Sequence, residues 1–270
     1  MQYALVNGVR SQAQKGLQGL CELCNCKVIA KCGNIIIHHW SHFNRNECDK
    51  WWETETLWHR DWKKKFPEEY REVIFKNNST MEIHRADIYT PAGLAIEFQH
   101  SFISNEERTS RENFYNKLIW VVDGSRRAYD YKRFQKKSDY LTSFYKDKKD
   151  IFQVSNIEDL LPSYWTDCSV PVIFDFMPIT NNIELCSSKG FLYCLFPQRV
   201  GRNAILAKIS SGSFIKSIVE GEWDKSYSVF LDELKKNDIE IKNREDIIRL
   251  QLKLSENKAL KIPNKRHWRF

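Results

Sequence analysis

Five of the eight cysteines and three of the seven histidines fall between Cys21 and Cys48. No other feature restricts the fold as strongly, because so many soft ligands in one short stretch point to a metal-held segment. Cys21-Glu22-Leu23-Cys24 lets one tight turn present two thiolates, and His39-Trp40-Ser41-His42 adds two imidazoles. Two close pairs of such ligands suit a closed tetrahedral zinc site. A segment ending near residue 50 is too short for a large core and gains folding energy from the ion. The expected ligands are Cys21, Cys24, His39 and His42, with Cys48 the strongest alternate and His38, Cys26 and Cys32 as further substitutes. The zinc is read as structural. Cys168, Cys186 and Cys194 lie in apolar, strand-like runs and read as small core residues.

The chain is 42% hydrophobic and 29% charged, which is globular and excludes a disordered or collagen-like polymer. No apolar stretch reaches membrane-spanning length, and the first residues lack the basic start and apolar run of a secretory signal. The expectation is a cytoplasmic protein without a membrane partner, in which clustered thiols favour metal over disulfides. The net charge of +7 is compatible with a polyanionic partner without demanding one. Arg126, Arg127, Lys132, Arg133, Lys136 and Lys137 are interleaved with Tyr129, Tyr131 and Phe134. This run reads either as a solvated loop or as one that binds a nucleic-acid backbone.

The most informative chemistry lies between residues 51 and 123. Trp51, Glu55, Trp58, His59, Trp62 and Phe66 share one face of a helix expected over Trp51–Phe66, whereas Glu53 falls on the opposite, solvated face. A carboxylate among tryptophans either pairs with a base such as Arg85 or serves a metal or its bound water. Strands are expected over Glu72–Lys76, Glu82–Thr90 and Leu94–His100, the last two joined as a hairpin at Pro91-Ala92-Gly93. Alternation puts Leu94, Ile96 and Phe98 on one face and Ala95, Glu97 and Gln99 on the other. The hairpin brings Asp87 alongside Glu97, and acids beside a buried sheet call for a partner, most economically a divalent cation. Ser104-Asn105-Glu106-Glu107 opens a helix over Asn105–Lys117, and Leu118–Asp123 completes a strand–helix–strand crossover. Arg108, Arg111 and Tyr115 share a face of that helix, either solvated or turned to nucleic acid.

The order helix, acid-bearing strands, helix, strand is the core layout of the PD-(D/E)xK nucleases. Residues 1 to about 135 resemble the competence protein CoiA-like family, proposed nucleases of that type with an N-terminal zinc-binding segment. The match is carried by Cys21-x-x-Cys24, His39-Trp40-Ser41-His42, Trp52-Glu53-Thr54-Glu55-Thr56-x-Trp58-His59, Ala86-Asp87-Ile88, Ile96-Glu97-Phe98-Gln99-His100-Ser101 and Trp120-Val121-Val122-Asp123-Gly124. The resemblance implies a bacterial DNA nuclease acting in recombination, competence or defence against foreign DNA. It maps the Mg²⁺- or Mn²⁺-binding acids to Asp87 and Glu97 and the helix acid to Glu55. Gln99 takes the usual lysine position, which leaves charge work to Arg85, Arg108, Arg111, His59 or the metal. Gln99 and Glu55 would position metal-bound waters, with His59 a candidate for proton transfer. Arg85, Arg108, Arg111, Arg126, Arg127, Lys132 and Arg133 are the expected DNA contacts.

The expected fold is mixed α and β in three parts. They are a Cys/His zinc-binding segment over 1–50, a PD-(D/E)xK restriction-endonuclease-like core over 51–140 with a mixed sheet flanked by helices, and an α+β C-terminal domain over 150–270. In that last part strands are expected at Pro171–Phe176, Phe191–Phe196 and Ala204–Ser210, and helices at Tyr227–Asn237 and Arg244–Leu254. It would contact a second copy or a partner protein, and the basic tail Lys265–Phe270 would dock on a partner or on nucleic acid. The alternative function is a degenerate, DNA-gripping module or a subunit of a multi-protein system.

Overall fold

The computed structural model describes residues 1–34, 37–44, 48–78, 80–146, 148–176 and 190–259. Cys186 and the tail Lys265–Phe270 lie outside them. A small antiparallel sheet comes first, from β1 (Tyr3–Val6), β2 (Val9–Gln12), β3 (Gln18–Leu20), β4 (Lys27–Lys31) and β5 (His39–His42), in the order β2-β1-β3-β4-β5. Its core is limited to Ala4, Ala13, Cys21, Val28 and Trp40 with a few half-buried neighbours.

After α1 (Leu57–Lys63), nine strands form one mixed sheet. They are β6 (Arg71–Lys76), β7 (Ile83–Tyr89), β8 (Ala95–Gln99), β9 (Leu118–Asp123), β10 (Thr142–Ser143), β11 (Ile151–Val154), β12 (Val172–Asp175), β13 (Phe191–Val200) and β14 (Asn203–Ser210). Their order is β10-β11-β14-β13-β12-β9-β8-β7-β6. β9 runs parallel to both β8 and β12, and the other pairs are antiparallel. The connections are α2 (Asn105–Phe114) and α3 (Ala128–Ser138), and α4 (Ser211–Val219) and α5 (Trp223–Ala259) follow. Among the described residues no helix is long and apolar enough to cross a membrane.

The strands at the centre are apolar throughout because both faces are covered. Trp120, Val122, Phe174 and Leu206 enter one core with Phe114 of α2 and Phe134 of α3. Ile119, Val121, Ile173 and Ile205 enter the other with Trp58 and Trp62 of α1, Phe214 of α4 and Leu234 of α5. The β7–β8 hairpin forms as expected, and its turn needs Gly93, which sits at φ +78.

Three expectations are corrected. No break in the sheet accompanies the division between a 51–140 core and a 150–270 domain. Fully buried β12 pairs in parallel with β9, so residues beyond 150 complete the same sheet. The basic run is not a loop but the helix α3, with Asp130 and Phe134 buried. The helix expected over Trp51–Phe66 starts only at Leu57, because Thr56 stops the extended chain and caps it. Its hydroxyl accepts from His59 N, and the His59 ring accepts from Thr56 N.

Candidate functional site

The Cys/His segment places four candidate metal ligands together. Cys21, Cys24, His42 and Cys48 have ligand atoms within 4.8 Å of one another. The Cys21 and Cys48 sulfurs are 3.7 Å apart, and Cys24 Sγ is 3.3 Å from His42 Nε2. Zinc–sulfur bonds of about 2.3 Å at tetrahedral angles set sulfurs about 3.8 Å apart, so this Cys₃His set fits zinc. Cys48 therefore replaces His39, for a reason inherent in a strand. His39 and His42 lie an odd number of residues apart on β5, so alternation sends them to opposite faces. The His39 ring bonds the Ile37 carbonyl instead, at 2.9 Å.

A second site is a cleft of about 90 Å³ whose walls include Glu53, Glu55, Lys63, Asp87, Glu97 and Arg111. At its centre is Lys63, the last residue of α1 and 4% exposed. Its ammonium lies 2.8 Å from Asp87 Oδ1, 3.1 Å from Glu72 Oε1 and 3.2 Å from Glu55 Oε1. Burial alone would lower the Lys63 pKa, but Asp87, Glu72 and Glu55 outweigh it and hold the pKa well above the ordinary lysine value. Lys63 is a fixed cation. Its aim is set by the tryptophans of α1, since the Trp58 and Trp62 indoles both donate to Asp175 Oδ2 at the end of β12, at 3.0 and 2.9 Å.

Glu72 was not singled out by sequence reasoning. It stands opposite Asp87, between the register pairs Arg71↔Ile88 and Val73↔Ala86. Two carboxylates so placed repel, and Lys63 bridges them. Glu72 also has φ +49, a backbone conformation costing roughly 1–3 kcal/mol for a non-glycine residue. It is held there by Lys63 and by Gln2 N, which donates to its carboxylate at 2.9 Å.

Asp87 Oδ2 accepts from Phe98 N at 3.0 Å. Glu97 accepts from Arg111 Nη1 at 3.1 Å and from the Tyr115 hydroxyl at 2.9 Å. Burial pushes its carboxyl up to about 8, nearby Asp87 adds to the effect, and Arg111 and Tyr115 offset only part of it. An unfolded glutamate ionises near 4.5, so between 4.5 and about 8 the unfolded chain binds fewer protons and stability falls as pH rises. At ~1.4 kcal/mol per pKa unit, the protein is expected to lose on the order of 2–4 kcal/mol relative to Glu97→Gln between pH 5 and 8. Urea unfolding of both proteins at the two pH values measures this, and equal losses would contradict it.

The other expected site residues divide. Glu55 faces the cleft, though from the extended lead-in to α1, and its Oε2 is buried without a hydrogen-bond partner. His59 is occupied at both nitrogens. Nδ1 accepts from Thr56 N, so Nε2 carries the proton and donates to the Phe98 carbonyl at 3.2 Å. Burial lowers its pKa despite the Asp87 and Glu53 carboxylates. Gln99 turns away from the acids and donates to Glu53 Oε2 at 2.7 Å. Glu53, expected in solvent, is thus a wall residue that also accepts from Ser101 N at 2.6 Å.

Of the basic residues, Arg85 and Arg111 line the cleft. Arg108 is buried and pins the segment between β11 and β12, donating to the Tyr164 carbonyl at 2.9 Å and to Asp167 at 2.8 Å. Arg126, Arg127 and Lys132 are exposed, and Arg133 pairs with Asp130 at 3.0 Å.

Among the described residues, Cys21, Cys24, His42 and Cys48 are the only group of three or more such side chains gathered within 4.8 Å. Asp87 and Glu97 nonetheless line the cleft with Glu55, a carboxylate set suited to Mg²⁺ or Mn²⁺ rather than zinc. The orphaned Glu55 oxygen fits such an ion or its waters.

Residues 79–187 match the family model described as the competence protein CoiA, nuclease-like domain. The match includes Asp87, Glu97 and Gln99. No curated protein and no solved structure matches the chain.

Proposed function

We propose that this chain, of the CoiA-like family through its nuclease-like domain, hydrolyses phosphodiester bonds of DNA in the Lys63 cleft. The observation that carries the reading is the convergence of Asp87 from β7, Glu97 from β8 and Glu55 from before α1 on one cleft around a buried ammonium. The order α1, β6, β7, β8, α2, β9 follows the PD-(D/E)xK layout and supports the same reading. Asp87 and Glu97, with the Phe98 carbonyl, would hold Mg²⁺ or Mn²⁺. When bound, that ion supplies an activated water and stabilises charge on the phosphate.

The protein's own groups supply the rest. Glu55 accepts a proton of a water through its free oxygen. Arg111 fixes Glu97, and Phe98 N fixes Asp87. Gln99 brings no charge to the phosphate and is committed to Glu53, so Lys63 provides the positive charge that the superfamily's lysine would otherwise bring from β8. The zinc segment is structural, and the pathway is bacterial DNA metabolism, in keeping with the competence family.

The test is cleavage of linear and circular, single- and double-stranded DNA with Mg²⁺ or Mn²⁺. Asp87→Asn and Glu97→Gln are each expected to reduce the rate at least about 10²–10³-fold, the scale of losing one preorganised electrostatic group. Binding without cutting by folded wild type would overturn the enzymatic reading. It would favour a DNA-gripping module, in which Lys63, Arg111 and Tyr115 hold the acids permanently.

A further inference from the structure

Beside the Lys63 cleft lies a second, smaller one, at the carboxyl ends of β8, β9 and β12. The Glu53–Gln99 hydrogen bond separates them, with Glu53 in the first wall and Gln99 in the second. Crevices at the carboxyl ends of parallel strands are where ligands of such sheets bind.

The second cleft is organised around Asp123, whose side chain is fully buried. One oxygen accepts from His100 Nδ1 at 2.8 Å, which leaves Nε2 as the ring's other polar atom. The other oxygen accepts from Ser125 N, Ser125 Oγ and Arg126 N at 3.0, 2.7 and 3.1 Å. This turn carries Arg126 and Arg127 to the mouth, where both are exposed. Gly124 is required at the bend, because a Cβ there would come within 2.5 Å of the Phe176 ring. The acids of the cleft do not compete for an anion, since Asp123 is saturated by donors and Asp130 is paired with Arg133.

Two further observations specify the ligand. Gln99 Oε1 is buried and has no hydrogen-bond partner, while its Nε2 is held by Glu53 Oε2 and the Ser101 carbonyl, so the amide cannot turn over. The cleft thus presents cationic donors and one unmet acceptor, the pairing wanted by a nucleotide rather than a bare anion. Phe102 is 65% exposed and packs edge-on against Tyr164 of the cleft wall, with ring centres 6.0 Å apart. Tyr129 is 75% exposed on the first turn of α3. Exposed aromatic rings beside arginines form a stacking platform for unpaired bases.

We propose that the second cleft seats the nucleotide adjoining the one held in the Lys63 cleft, on a single strand, with its phosphate against Arg126 and Arg127 at the mouth and a base on the Phe102–Tyr164 pair. The ring centres of His59 in the first cleft and His100 in the second are 6.0 Å apart, a span that one nucleotide bridges. The proposal rests on the nuclease reading of the first cleft and adds strand preference to it.

Binding of a fluorescein-labelled twelve-residue oligo-dT, and of a duplex of equal length, tests it by anisotropy across a salt series without divalent ions. Arg126→Gln/Arg127→Gln is expected to weaken oligo-dT binding about tenfold or more and to flatten the slope of log K against log salt by about 1.4, two phosphates' worth for single strands. Phe102→Ala is expected to weaken oligo-dT binding with the slope unchanged, because stacking releases no counterions. If wild type neither binds nor cuts DNA, the nuclease reading fails and this proposal with it. If wild type binds or cuts while both variants match it in affinity and slope, only the second cleft is refuted. Equal losses on duplex and oligo-dT would overturn the single-strand assignment.

Discussion

Lys63→Met is expected to cost the fold about 3–5 kcal/mol and to abolish cleavage, the largest effect of any single substitution in the cleft. The ammonium is the shared counter-charge of Glu55, Glu72 and Asp87, so its loss leaves Glu72 and Asp87 facing each other beside Glu55, which keeps only Arg60 at 2.7 Å. A divalent cation can replace that charge. The thermal midpoint of Lys63→Met is therefore expected to rise with added Mg²⁺ by clearly more than that of wild type, through the linkage of ion binding to folding. Lys63→Arg keeps the charge but spreads it over a planar fork, and it is expected to recover stability better than rate. Lys63→Met/Gln99→Lys asks whether a cation from β8 can substitute. Some return of cleavage is expected, limited by the lost Gln99–Glu53 bond. Urea unfolding and single-turnover cleavage read these effects. A methionine variant as stable and as active as wild type would remove Lys63 from the site.

Lys63 was hidden in the sequence for a physical reason. It opens the run Lys63-Lys64-Lys65, and such a run ordinarily lies in water. Only the docking of Trp58 and Trp62 on Asp175, far along the chain, turns that position inward. Asp87, Glu97 and the hairpin that joins them were legible because alternation within a strand is local. The same rule, applied to His39 and His42 as a strand rather than as a compact motif, separates them and leads to Cys48.

Errors in helix extent had consequences for function. Reading a helix from Trp51 put Glu53 in solvent, whereas the extended chain before Thr56 lets it reach Gln99 and Ser101. The sequence of α3 reads as a loop because charges mask its thin apolar stripe. The sequence of α5 reads as two helices, although its middle contains no glycine or proline to break it. The expected division near residue 150 followed a polar stretch between elements, but pairing of β12 with β9 is a long-range event that no local pattern announces.

Removing the metal from the Cys₃His set is expected to unfold residues 1 to about 48 and to silence the Lys63 cleft as well, though no zinc ligand lines that cleft. The first effect follows from size. Strands of three to five residues around a handful of buried side chains do not hold together alone, whereas a structural zinc contributes on the order of 10–16 kcal/mol in small domains. The second follows from connectivity. Cys48 is followed by Asp49, which accepts from His84 Nδ1 at 2.8 Å, from Arg85 N at 3.0 Å and from Trp51 N at 3.0 Å. Those contacts tie the metal loop both to β7, which carries Asp87, and to the chain leading into Glu53 and Glu55. His84 is further stacked on Trp51, with ring centres 3.3 Å apart. Cys24→Ser and His42→Ala are therefore expected to lose bound zinc, to become protease-sensitive before residue 50 and to lose cleavage together. His39→Ala is expected to keep one zinc per chain and full protection, because its ring bonds only the local backbone. Elemental analysis with limited proteolysis separates these outcomes. Zinc lost from the His39 variant and kept by the His42 variant would contradict the assignment, and cleavage that survives zinc loss would break the link through Asp49.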